Sequence, residues 1–289
     1  RTFNNGLDSG QTMRPVGPKD LVGIVLTPIE AVSSTLERKL GYFSVVIISL
    51  SAMIGSGLFV LPSLAYAMVG GGVWLAYVLA ALVVLPGAMS QSELASAMPT
   101  SGGSFVFIER TFGPMFGTIA GLGLWASFLL KAAFALIGFS AYLMFVQGYL
   151  GTEVSGIQAA LSMLVLITII NVLGMKRIRS VQTPIVTLSV LTLVGLTVWA
   201  IASGEADYSK TRPVLETTSD WTKMGEAAAF VLVSYAGVAK VAAIGGEIKN
   251  PGRNLPGGIM TSLVIGTVLY AALVATMVAV VPHEAFFDS

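Results

Sequence analysis

Ser51-Ala52-Met53-Ile54-Gly55-Ser56-Gly57-Leu58-Phe59-Val60-Leu61-Pro62 lies at the middle of an apolar run, 43–67, and decides how the chain is read. The run is long enough to cross a bilayer, whose core about 30 Å thick takes roughly 20 apolar residues as helix. Two glycines in three residues fall near its midpoint, and each costs a helix about 1 kcal/mol relative to alanine. In hydrocarbon, unwound backbone persists only where protein or a water-filled cavity satisfies it. Two readings stay open for this stretch alone: close helix packing through small residues, or a helix broken in mid-membrane.

Around it, the composition is that of a membrane protein. Of 289 residues, 55% are hydrophobic and 11% charged, with mean hydropathy +0.83. A soluble domain carries roughly 25% charged residues, so a soluble enzyme and a disordered chain are both excluded. Sixteen Lys+Arg against 15 Asp+Glu give +1, which provides no field for nucleic acid. Zero Cys removes thiol catalysis and thiolate metal sites, and the single His (His283) cannot build a zinc cluster. No catalytic residue, metal or cofactor is expected. The fold class is all-α integral membrane protein, with about seven spans at 43–67, 73–94, 117–146, 158–173, 181–203, 225–245 and 257–281.

Charge sets the orientation. One side collects Arg1, Arg14, Lys19, Arg38, Lys39, Arg110, Lys176, Arg177, Arg179, Lys249 and Arg253; the other has Lys210, Arg212 and Lys223. Eleven against three places the N-terminus in the cytoplasm and, after seven spans, the C-terminus outside. The first 40 residues are polar and hold no signal-peptide core, so the first span is the insertion signal. The chain begins at Arg1 rather than Met and stops at Ser289 just after a span, so it is expected to be a fragment.

The sixth span repeats the anomaly of the first: Ser234-Tyr235-Ala236-Gly237 interrupts it, and Lys240 follows. Gly-interrupted spans at corresponding places in two halves point to a transporter site, and spans five apart fit a five-helix inverted repeat. The first span, running outward, would restart near Gly57 with free N–H groups of Ser56, Gly57 and Leu58 for a carboxylate. The sixth, running inward, would end its first half near Tyr235 and Ala236 with free C=O groups for an ammonium. Together they make a receptor for an α-amino acid.

With these residues assembled, the chain resembles the amino acid–polyamine–organocation (APC) superfamily of permeases. Four stretches carry the likeness: Ser51 to Pro62; Met98-Pro99-Thr100-Ser101-Gly102-Gly103-Ser104-Phe105 with Glu109-Arg110 and Phe112-Gly113; Ser234 to Gly237; and Glu247-Ile248-Lys249-Asn250-Pro251-Gly252-Arg253-Asn254-Leu255-Pro256. The likeness covers about Leu40 to the end. It implies a LeuT-type fold of two inverted five-helix repeats, usually within twelve spans, with spans 1 and 6 broken. Here the fold is incomplete: residues 1–40 form a cytoplasmic tail and 41–289 the transmembrane domain. The first repeat covers about 41–204, and the second starts at about 225–289. The resemblance also implies secondary transport of amino acids across the plasma membrane, coupled to protons or to exchange. It places the substrate among Ile54, Gly55, Ser56, Gly57, Leu58, Ser234, Tyr235, Ala236 and Gly237. Two departures stand out: Gly246 occupies a position that many members give to an acid, and spans 8 to 12 are absent.

Two lysines lie inside spans. Lys131 sits near the middle of the third, roughly 20 Å from either end at 1.5 Å per residue, too far to snorkel. It is either a proton-coupling or cation-substituting amine, or a structural lysine capping broken-helix carbonyls. Lys240 either snorkels to the cytoplasmic surface or, leaning toward its own N-terminus, faces the substrate vestibule. Glu247 is a gate element if it pairs with Lys249 or Arg253, and otherwise a solvated loop charge. Trp74, Trp125, Trp199 and Trp221 read as interface anchors or packing, and Gly117, Gly121 and Gly123 as a close-approach face of the third span.

Other classes fit less well. A seven-helix receptor puts its N-terminus outside, against the charge bias, and an intramembrane hydrolase needs membrane acids or a nucleophile pair that the span centres lack. A channel differs from a carrier by its non-saturating flux. Within the carrier reading, Lys131 and Lys240 would repel a cationic side chain. The expected substrate is therefore a neutral amino acid, with cationic amino acids or polyamines as the alternative. The bilayer and protons are the other expected partners.

Overall fold

The computed structural model describes residues 38–281 except 101, 151–154, 173–174, 205, 213–214 and 216. The expected N-terminal tail up to residue 37 thus lies outside the described residues. What is described is helical, with one isolated β-bridge. We number the α-helices in chain order: α1 Tyr42–Met53, α2 Ser56–Phe59, α3 Leu61–Val69, α4 Val73–Ala97, α5 Ser104–Phe112, α6 Pro114–Leu150, α7 Gly156–Val172, α8 Met175–Ser203, α9 Thr218–Val231 and α10 Pro251–Val280.

The first span is α1, α2 and α3 in series. α1 stops because Ile54 turns extended (φ −66°, ψ 117°), and α2 restarts after Gly55. A second interruption at Val60 separates α2 from α3, whose first turn accepts Pro62 because an N–H there would lack an acceptor anyway. Gly70, at φ 60°, then turns the chain through the 3₁₀ segment Gly70–Gly72 into α4, the expected second span. α6, α7 and α8 are the third, fourth and fifth spans, and α10 is the seventh.

The sixth span is more deeply altered than Ser234 to Gly237 alone foretells. α9, capped by a Thr217–Asp220 capping box, is regular only to Val231. From there the backbone winds as 3₁₀ helix over Leu232–Tyr235, Val238–Ala243 and Gly245–Glu247. Six residues of 3₁₀ is long for a geometry with poorer hydrogen bonds, and such a stretch inside a span marks strain or a functional hinge.

The core lies where α1, α4, α9, the 3₁₀ stretch and α10 meet; Val45, Met53, Tyr77, Met224, Tyr235, Ile259 and Tyr270 are all buried there. By contrast α6, α7 and α8 carry large apolar side chains on their outsides, such as Leu130 at 68% and Val172 at 82% exposure. Apolar surface on this scale suits lipid or further helices rather than water. Of the seven expected spans, four coincide among the described residues with helices long and apolar enough to cross a membrane, and shorter apolar helices, Tyr42–Met53, Gly156–Val172 and Thr187–Ser203, fall on the others. Pro114–Leu143 and Pro251–Val280 are two of the four.

Two connections differ from the sequence reading. The stretch after the second span is not all loop: Ser104–Phe112 forms α5, entered through Gly102 and Gly103 at positive φ. α5 lies along the start of α6, where Gly117 meets Glu109 and Gly121 meets Phe105, whereas Gly123 faces open space. The basic residues Lys176, Arg177 and Arg179 belong to the first turns of α8 rather than to a loop.

Candidate functional site

The two broken spans cross each other at their breaks. A Cβ on Gly57 would lie 2.5 Å from Ser234 Oγ, and one on Gly237 would run into the Ala52 carbonyl and within 2.6 Å of the Met53 amide. Residue numbers rise along one strand of this contact and fall along the other, so the spans run antiparallel. Only glycine permits such an approach at either point.

Each break satisfies part of the other. The Gly57 carbonyl accepts from Tyr77 Oη at 2.8 Å and from Ser234 Oγ at 3.2 Å. Ser49 Oγ, on α1, donates to the Val238 carbonyl in the 3₁₀ stretch at 3.4 Å. Tyr235 Oη donates to the Tyr77 carbonyl at 3.1 Å. The Tyr270 ring packs edge-on against both tyrosines, with centroids 5.6 Å from Tyr77 and 5.3 Å from Tyr235. These exchanges are what allow irregular backbone at membrane depth.

The expected site residues fare unequally. Outside the helices' own ladders, no described backbone carbonyl takes the Gly57 amide, one of the three expected donors, or the Gly55 amide, which was not among them. Leu58, another expected donor, differs. Its amide donates to the Gly55 carbonyl at 2.9 Å and leaves nothing for a ligand, because the restarted helix tightens its first turn. The backbone of Ser56 opens α2, and its side chain lies outside the described residues. Ile54 caps α1 and packs on the core; Ser234 and Tyr235 are buried, while Ala236 is exposed. Two cavities flank the restart of the span. One, of about 430 Å³, is bounded by Gly55, Phe59, Val60, Ala135, Gly138 and Tyr142. The other, of about 290 Å³, lies between Leu58, Tyr142, Leu193, Ala200 and Leu273.

Lys131 caps no carbonyl: its Nζ is shut from solvent and has no hydrogen-bond partner among the described residues. Lys240 does not reach for the surface either, since its Nζ sits 4.5 Å from the centre of the Phe128 ring on α6. Glu247 lies at the C-terminal end of the sixth span, and its backbone carbonyl accepts from the Lys39 and Leu40 amides at 2.9 and 3.0 Å. The Lys249 amide returns a bond to the Leu40 carbonyl at 2.8 Å, which completes the parallel bridge Leu40–Ile248.

Tyr77, Tyr270, Ser49 and Phe128 were not singled out by sequence. The available signal was weak: a tyrosine inside an apolar run must find a partner for its hydroxyl, but the run does not say which. Trp74, read as an anchor or packing, does something more definite: its Nε1 donates to the Thr211 carbonyl at 2.8 Å.

The family model for amino acid permeases matches residues 44–286. The branched-chain amino acid permease of Bacillus subtilis is 29% identical over 269 residues, covering 87% of this chain and 57% of that protein. Solute carrier family 7 member 12 of Mus musculus is 31% identical over 260 residues, with 86% and 55% covered. The chloroplastic cationic amino acid transporter 7 of Arabidopsis thaliana is 28% identical over 279 residues, with 90% and 48% covered. The chain therefore spans about half the length of the curated relatives it matches.

Proposed function

This chain belongs to the amino acid permease family, and from that premise we propose that the complete protein is a secondary active carrier of neutral amino acids in the plasma membrane. It works by alternating access, driven by protons or by exchange, with its N-terminus in the cytoplasm. The two-repeat organisation, 41–204 and from about 225, is part of this reading.

The carrying observation is the antiparallel crossing of two broken spans through Gly57 and Gly237. In this reading the substrate carboxylate takes the Gly55 and Gly57 amides, at the positive end of the restarted helix. Its ammonium takes carbonyls of the Ser234–Gly237 turn, and its apolar side chain enters the cavity at Gly55 and Ala135. The named specificity of the bacterial relative for branched-chain amino acids supports a neutral substrate. A cationic substrate is the second reading, favoured by the plant relative's name. Lys131 and Lys240 oppose it by repulsion. Glu247 is retained as a gating candidate at the inner end of the pair.

The test is uptake of labelled leucine by vesicles containing the complete protein. Saturable uptake, stimulated by leucine on the far side and abolished by Gly237→Val, is expected. Uptake of lysine in preference to leucine would move the assignment to the second reading, and non-saturating flux without counter-stimulation would make the protein a channel.

A further inference from the structure

Two cations share one apolar neighbourhood in this molecule. Lys131 lies near the middle of α6, and Phe128 is one turn earlier on the same helical face. Lys240, from the 3₁₀ part of the sixth span, rests its Nζ 4.5 Å above the Phe128 ring. Both lysines are thus neighbours of Phe128, one along its helix and one above its ring. Among the described residues no Asp or Glu forms an ion pair with either one, and Lys131 Nζ is buried without an acceptor.

The position is as telling as the charge. Residues 131, 135, 138 and 142 fall on one face of α6. Ala135, Gly138 and Tyr142 line the cavity of about 430 Å³ beside Gly55. The lysine pair thus stands one turn along from the space that opens on the broken first span. Phe128 presents its negative face to Lys240, which suits an ammonium and occupies one side of it. What both amines still lack is an acceptor carrying negative charge.

We propose that Lys131 and Lys240 form a binding site for one small anion, the size of a halide or a carboxylate. The anion is held between the third span and the unwound part of the sixth. Two sources share this chemistry: free chloride, and the side-chain carboxylate of a substrate amino acid. The chloride arm stands without the carrier reading; the carboxylate arm rests on it and replaces its neutral substrate by an acidic one.

The experiment follows thermal unfolding of the complete purified protein in a buffer whose only other anion is the bulky HEPES sulfonate, at constant ionic strength. Sodium chloride, sodium glutamate and leucine are added in turn. Chloride or glutamate is expected to raise Tm saturably by about 3 °C. Lys131→Met and Lys240→Met should each lose that rise. Lys240→Glu supplies the negative charge itself, so it should fold with a Tm no lower than the parent and show no anion response. A rise with chloride alone identifies the free ion, and a rise with glutamate alone identifies a substrate carboxylate. If neither anion shifts the parent protein, or if the shift survives in Lys240→Glu, the site is refuted. A leucine-induced shift in that event leaves the carrier reading intact. Conversely, a chloride shift without uptake of any amino acid removes the carrier reading and keeps the anion site.

Discussion

Tyr77 reaches from α4 across the break of the first span with a single hydroxyl, and the Gly57 carbonyl it holds is shared with Ser234. Tyr77→Phe leaves one of two donors, so a loss of about 1 kcal/mol is expected. Adding Ser234→Ala bares a buried carbonyl and should cost about 1–3 kcal/mol more than the single changes sum to. Thermal unfolding of the four proteins in micelles measures that coupling. Gly237→Ala forces a methyl into the Ala52 carbonyl and should destabilise by about 1–3 kcal/mol in the same assay. Away from the membrane-spanning part, Asp207 accepts from the Ser209 hydroxyl at 2.6 Å and the Ser209 amide at 3.0 Å, bonds that hold its carboxylate below its ordinary 3.8. A depressed carboxylate stabilises the fold above its unfolded value and loses that contribution as pH falls through the folded one. The turn Tyr208–Thr211, and with it the Trp74 tether, should therefore loosen only below about pH 3.8, read as a change in Trp74 fluorescence that Asp207→Ala shows already at neutral pH. At this scale the sequence was readable where chemistry is local. The glycines at 55, 57 and 237 stood out because glycine in an apolar span serves either close packing or a break, and the structure uses Gly57 and Gly237 for close packing beside the breaks. The use of the Leu58 amide, the Tyr77 bond and the Lys240–Phe128 contact depend on which faces meet, and no local pattern encodes that.

Among the elements, the 3₁₀ run after α9 is the least conventional. Its hydrogen bonds are poorer than those of α10, although both are buried against the same core. Amides of residues 238–247 should accordingly exchange with solvent at least tenfold faster than those of 258–278 in lipid nanodiscs, followed by mass spectrometry. Equal protection of the two segments would mean the 3₁₀ winding carries no weakness. The interruption of the first span was legible to within a residue or two, because Gly55 lies in it and Gly57 just beyond it. The extent of the sixth was not. Val238 to Ala243 is a string of small and β-branched residues around Lys240, which fits a span as well as it fits 3₁₀ turns, and only the packing of Gly237 on Ala52 chooses. α5 escaped notice for a related reason: at nine residues flanked by glycines it is too short to read as a span, yet it docks along α6.

The whole molecule was the easiest level to read, since scarcity of charge dictates the solvent before any residue is placed. Orientation is the claim to check here. In a chain without cysteine, Lys210→Cys should react with an impermeant maleimide on intact cells, whereas Arg253→Cys should react only after permeabilisation. The opposite pattern would invert the protein in the membrane and leave the helix-end chemistry of the site unchanged, since helix polarity follows the chain. One further consequence belongs to the short bridge between Leu40 and Ile248. It fastens the start of the first span to the end of the sixth, like two levers sharing one pin. Any movement that parts these two ends has first to break the three backbone hydrogen bonds of that pin.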